Sequence, residues 1–95
     1  MKIDQIIIPV AIRHKLTVKH QVMPEEAKYA LLNRPRIRFA ERGQNPGEDV
    51  YAAFGRTASG RYLSVFFVYK PVNRTAIIIS ARSMSGQERK QYGRK

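Results

Sequence analysis

Cysteine and tryptophan are absent from the chain. Without a thiol there is no disulfide, no thiolate metal ligand and no cysteine nucleophile, which agrees with a reducing cytoplasm. Histidine occurs only at His14 and His20, six positions apart and off a shared helical face, with no third ligand clustered beside them. No metal site or other cofactor is therefore expected. The glycines form no phosphate-cradling pattern, which argues against nucleoside triphosphate chemistry. Long apolar runs are missing too: the stretch from Ile6 to Ile12 is interrupted by Pro9 and stopped by Arg13, and fits neither a signal peptide nor a membrane span. Acids are scarce, with seven Asp plus Glu against 18 Lys plus Arg and a formal net charge of +11. Such a surplus points to a polyanionic partner, nucleic acid ahead of an anionic membrane or an acidic protein.

What is present is enough for one small domain. The 95 residues, 43% of them hydrophobic, can bury a single core, and residues 93–95 read as a frayed tail. Ile3 to Ile8 has the β-branched content of a strand, and Pro9 can open a helix because its missing N–H is harmless at the first position. Ile12 and Leu16 then share a face at four-residue spacing. Pro24-Glu25-Glu26 opens a second helix, with Ala27, Ala30 and Leu31 inward, and Pro35 stops it at or before Arg34. From Arg36 to Arg42 the pattern alternates, placing Arg36, Arg38 and Arg42 opposite Ile37 and Phe39. Gly43 to Gly47 is turn chemistry, and Glu48-Asp49 opens a strand running to Gly55-Arg56. The loop Thr57 to Gly60 leads into Arg61–Tyr69, apolar on both faces and expected to be central. Thr75 to Ala81 is another internal strand, and its pattern places Arg82 on a face with Ile78 and Ser80. Ser85-Gly86-Gln87-Glu88 matches a capping box and opens a short helix carrying Arg89, Lys90 and Tyr92. The expected fold is α+β: a mainly antiparallel sheet of about four strands, two N-terminal helices and a short C-terminal helix.

Several motifs fall in order along the chain: Lys19-His20, Glu25-Glu26, Gly47-Glu48, Tyr51, Gly55-Arg56, Gly60-Arg61-Tyr62-Leu63, Ile79-Ser80-Ala81-Arg82 with Met84, and Glu88-Arg89 with Tyr92. Together they resemble the BrnT toxins of bacterial type II toxin–antitoxin pairs, within the RelE/ParE-like superfamily. The likeness is strongest from Glu48 to Tyr92. At the N-terminus, Ile6-Ile7-Ile8-Pro9 stands where many members have an aromatic-Trp-Asp segment. The resemblance implies a RelE-like fold, metal-independent ribonuclease activity that stops translation, and a cognate antitoxin encoded nearby.

RNA cleavage through the 2′-hydroxyl needs a base, an acid and cations on the phosphate, and the electrostatic stabilisation by the cations usually contributes most. Arg82 is the first choice for a phosphate clamp and Arg61 the second, because a guanidinium fork grips two oxygens without losing its proton. His20 is an acid, a base, or a helix-end residue interacting with carbonyls. Glu48 is a general base or a counter-ion for arginines; an arginine neighbour would lower its basicity. Tyr92 can donate a proton, stack on a base, or pack under the last helix. Lys19, Arg56, Arg89, Arg36 and Arg38 are assigned to RNA binding, free or ribosome-associated. A non-catalytic module that binds nucleic acid or an antitoxin is the alternative, with no membrane and no small-molecule cofactor in either case.

Overall fold

The computed structural model describes residues 1–93; Arg94 and Lys95, the end of the expected frayed tail, lie outside the described residues. The elements in chain order are β1 (Gln5–Ile7), α1 (Val10–His20), α2 (Pro24–Leu32), β2 (Arg36–Glu41), β3 (Val50–Arg56), β4 (Tyr62–Lys70), β5 (Thr75–Ser83) and α3 (Gly86–Gly93). One five-stranded sheet has the order β1-β5-β4-β3-β2. The strand apolar on both faces, β4, sits at its centre as its composition requires. The sheet is mixed rather than purely antiparallel, because β1 joins β5 in parallel as a fifth, edge strand. A 2.6 Å ion pair from Arg74 Nε to Asp4 Oδ2 helps hold that edge.

One face of the sheet is covered by α1 and α2. Leu16, Ala27, Ala30 and Leu31 are buried there against Ala53, Leu63, Val65, Phe67, Ala76, Ile78 and Ala81. Full burial of each larger side chain contributes roughly 1.5–3 kcal/mol. Gly55 lets α2 sit directly on β3, since a Cβ there would meet the Ala30 carbonyl oxygen at 2.5 Å. Arg36, Phe54, Ser64 and Arg82 line up across four strands on the opposite face, in mutual register.

Two irregularities change the faces expected from strict alternation. In β5 the register shifts so that Phe66 faces Ser80 while Phe67 faces Ile78, leaving Ile79 as an extra residue. Ile78 therefore enters the helix-covered core, and Ser80 and Arg82 lie on the other face; they do not share a face with Ile78. A bulge of this kind re-aims the side chains beyond it. In β2 a shift between Phe39 and Glu41 ends the alternation, so Arg42 falls outside the ladder that holds Arg36 and Arg38. Glu48 and Asp49, expected to open β3, belong to the preceding loop.

Candidate nucleic-acid interface and active site

The last helix lies across the row Arg36–Phe54–Ser64–Arg82 and is held at both ends. At its start, Glu88 N–H donates to Ser85 Oγ (3.1 Å) and Ser85 N–H donates to Glu88 Oε1 (2.9 Å), the expected capping box. Glu88 does more than cap. Its carboxylate accepts a two-pronged grip from Arg82, Nη1 to Oε1 at 2.7 Å and Nη2 to Oε2 at 2.8 Å, and a 2.9 Å bond from the hydroxyl of Ser64. Ser64 is fully buried in a central strand, so its hydroxyl needs such an acceptor. The Arg82 guanidinium and the added hydrogen bonds hold the Glu88 carboxyl down at about 2, well below the usual carboxylate range. It is a firm counter-ion and a weak base. Toward the helix end, Arg36 Nη1 donates to the Gln91 carbonyl (2.9 Å) and Arg38 Nη1 to Gln91 Oε1 (3.2 Å).

Arg82 keeps one edge open. Its end-on fork is spent on Glu88, with Nη1 also donating to the Ser83 carbonyl at 3.2 Å. The side-on pair, Nε–H and the remaining Nη2–H, has no hydrogen-bond partner among the described residues. The side chain is 38% exposed and its guanidinium lies over the Phe66 ring at 5.2 Å. Such a parallel pair of donors fits two oxygens of a phosphate.

Beside this row, an open cleft of ≈ 410 Å³ is lined by Arg34, Arg36, Arg56, Arg89, Tyr62 and Tyr92. No acid lines it. Arg56 and Arg89 both sit on the Tyr62 ring, at 4.8 and 4.1 Å from its centre, and Tyr92 meets the same ring edge-on at 5.9 Å. Cation–π contacts orient the two guanidinium groups while leaving their N–H donors for an anion. The cleft is thus a cationic surface with aromatic floor and wall, suited to a backbone of phosphates.

This face brings together Arg82, Arg36, Arg38, Arg56, Arg89 and Tyr92 of the expected site. Arg61, His20 and Lys19 are elsewhere. Arg61 lies at the same end of the sheet but on its helical side, where it donates to the carbonyls of Gln21 (2.6 Å) and His20 (3.3 Å), to Glu26 Oε1 (3.3 Å) and to Ser83 Oγ (3.2 Å). It closes the α1–α2 corner: the last carbonyls of α1 lack helical partners, and the chain turns there through Gln21 at φ 51°. His20 is the last residue of α1, and Lys19 is exposed on the same helix. Glu48 sits at the opposite end of the sheet, bonded to Asn45 Nδ2 at 2.9 Å. The first strand residue after it, Val50, is four positions from Phe54, about 13 Å along β3. The counter-ion role considered for Glu48 is filled for Arg82 by Glu88. Arg61→Met should cost about 2 kcal/mol, since it strips a charged donor from the helix carbonyls. Thermal melts should show Tm falling on the order of 10 °C.

Over residues 12–88 the chain matches the family described as the ribonuclease toxin BrnT of type II toxin–antitoxin systems. The chain belongs to the BrnT ribonuclease-toxin family. None of the curated proteins compared with it matches significantly. The BrnT match begins at Ile12, after β1, and runs through the other four strands of the sheet, β2 to β5, into α3. Membership makes RNA the substrate class and a cognate antitoxin the partner. No helix among the described residues is long and apolar enough to cross a membrane.

Sequence reasoning missed five participants of this candidate site as site residues, among them Glu88, which it assigned to the helix cap alone. Ser64 carried a signal, the one aliphatic hydroxyl in an apolar central strand. Tyr62 carried a weaker one, facing Arg56 across a hairpin. Arg34, at φ 49° between α2 and β2, and Gln91 carried none.

Proposed function

We propose that this chain is a metal-independent endoribonuclease that stops translation in the cytoplasm, holding single-stranded or ribosome-associated RNA in the cleft beneath α3. The observation that carries this reading is the open side-on edge of Arg82, fixed by Glu88 next to a cleft with four arginines and, among the described residues, no acid. The phosphate backbone occupies the Arg34, Arg36, Arg56 and Arg89 surface. The scissile phosphate sits on Arg82, whose charge stabilises the crowded phosphorane as the 2′-oxygen attacks. The 2′-proton passes to water, the P–O5′ bond breaks, and the phenol of Tyr92 donates a proton to the leaving 5′-oxygen. Arg61 acts through the α1–α2 corner as a positioning residue.

The purified protein should cut RNA in the presence of a chelator and leave 2′,3′-cyclic phosphate ends. Its affinity for single strands should fall with salt by a log–log slope on the order of −3.5, about 0.7 for each of the four cleft arginines and Arg82. Intact RNA under conditions where binding is demonstrable would sink the ribonuclease reading and leave a binding module.

A further inference from the structure

Next to the cationic cleft, and sharing Arg36 and Tyr92 with it, is a smaller recess of ≈ 220 Å³ walled by Ile37, Phe54 and Tyr92 and edged by Arg36, Arg38 and Gln91. Its volume admits a single base rather than a stretch of backbone. Phe54 and Tyr92 supply aromatic surface, the common means of holding an unstacked base. The polar edge is one-sided in its chemistry. Arginine can only donate, so the 3.2 Å contact from Arg38 Nη1 to the Gln91 side chain assigns the amide oxygen to Arg38. The Gln91 Nε2 group, with two donors, is the end left for a ligand. Arg36, by donating to the Gln91 carbonyl at 2.9 Å, fixes the backbone that carries this amide.

We infer that this recess is a base-reading pocket selective for guanine, with Gln91 as the specificity-determining residue. A freely rotating glutamine pairs best with adenine, because it offers one donor and one acceptor to N7 and N6. Arginine and other donor-only groups pair with the adjacent N7 and O6 acceptors of guanine. Occupying the Gln91 oxygen with Arg38 converts the amide from the first kind to the second. Adenine would turn its N6 amino group toward donors, which is unfavourable, and cytosine, although N3 and O2 are adjacent acceptors, has one ring and covers less of the aromatic wall than a purine. Uracil has acceptor oxygens but not two adjacent ones on a purine edge.

The inference rests on the proposal that the cleft binds RNA, and a binding measurement separates it from cleavage. Uridine-tract oligonucleotides with 2′-deoxy sugars cannot be cut by 2′-attack, and one central position can be set to guanine, adenine, cytosine or uracil. Anisotropy titrations should show guanine bound about 10-fold tighter than adenine. Gln91→Leu should bring the four within about 2-fold of one another with the same salt slope, since no charge is lost. Arg38→Met, which releases the amide oxygen, should move the preference toward adenine. Equal binding of all four bases by the unaltered protein, no binding at all, or an unchanged guanine preference in Gln91→Leu each overturns the pocket. A protein that prefers guanine but leaves ordinary RNA intact keeps the pocket and loses the ribonuclease reading.

Discussion

Arg82→Ala should lower the rate of RNA cutting by about 10²–10³-fold, the usual loss when one preorganised donor to a developing oxyanion is removed. The chemistry is more demanding here than simple charge. Because the end-on fork is held by Glu88, only the Nε–H and Nη2–H edge can meet the phosphate, and it does so as a planar pair. Lysine restores the charge but not the pair, so Arg82→Lys should recover less than a tenth of the lost activity. Single-turnover rates on RNA, normalised to the folded fraction by circular dichroism, check both. The Ala variant leaves Glu88 with its bonds from Ser85 and Ser64, so the helix cap survives. Full activity in Arg82→Ala would place the scissile phosphate elsewhere, with Arg56 and Arg89 as the next candidates.

That Arg82 faces α3 at all depends on a detail hidden from pattern reading. The residues Ile77, Ile78 and Ile79 are interchangeable in hydropathy, so nothing in their order marks the last as the extra residue of a bulge. Strict period two puts Arg82 with Ile78; the bulge puts Ile78 in the core and Arg82 opposite it. Where alternation is unbroken, as at Arg36, Ile37 and Arg38, faces are legible from composition alone. The helices are legible for the same reason: Ala27, Ala30 and Leu31 follow a helical repeat and Pro35 stops it. The family motifs locate the arginines, but the pairing that decides which of them meets solvent is a long-range matter. Glu88 reads locally as a cap, and only the register across β4 and β5 brings Ser64 and Arg82 to the same carboxylate. Arg61 shows the converse. Its place at a strand start suggests a phosphate ligand, yet the turn after α1 folds back on it and takes its donors. The two arginines differ in which side of one sheet end they occupy, and a glycine-containing hairpin loop and a bulge set that side.

Glu88→Gln should be the most revealing change for stability, because its effect depends on pH in a direction set by the shift. The folded carboxyl titrates at about 2 against an ordinary value of 4.5. A carboxyl depressed in the folded state binds protons more weakly there than in the unfolded chain. Its stabilisation is therefore complete above about 4.5, declines as the pH falls, and is gone below about 2. A depression of that size corresponds to roughly 3 kcal/mol for an unscreened pair. Both Glu88 and Arg82 are partly exposed, and solvent screening reduces the expected figure to about 2 kcal/mol. Glutamine keeps an oxygen for Ser64 or Ser85 but cannot titrate, so the variant lacks this stabilisation at every pH. Unfolding of the two proteins should accordingly differ by about 2 kcal/mol near neutrality, a Tm gap on the order of 10 °C, and converge toward pH 2. The other acids of the chain contribute equally to both curves and cancel in the difference. Parallel curves with a constant gap from pH 6 to 2 would mean that the carboxylate's charge is not what holds α3 over Arg82. The same variant separates counter-ion from base. If Glu88 only positions Arg82, cutting should fall by about 10-fold while the shape of its pH profile is retained, whereas loss of a proton acceptor would remove the dependence that the acceptor imposes.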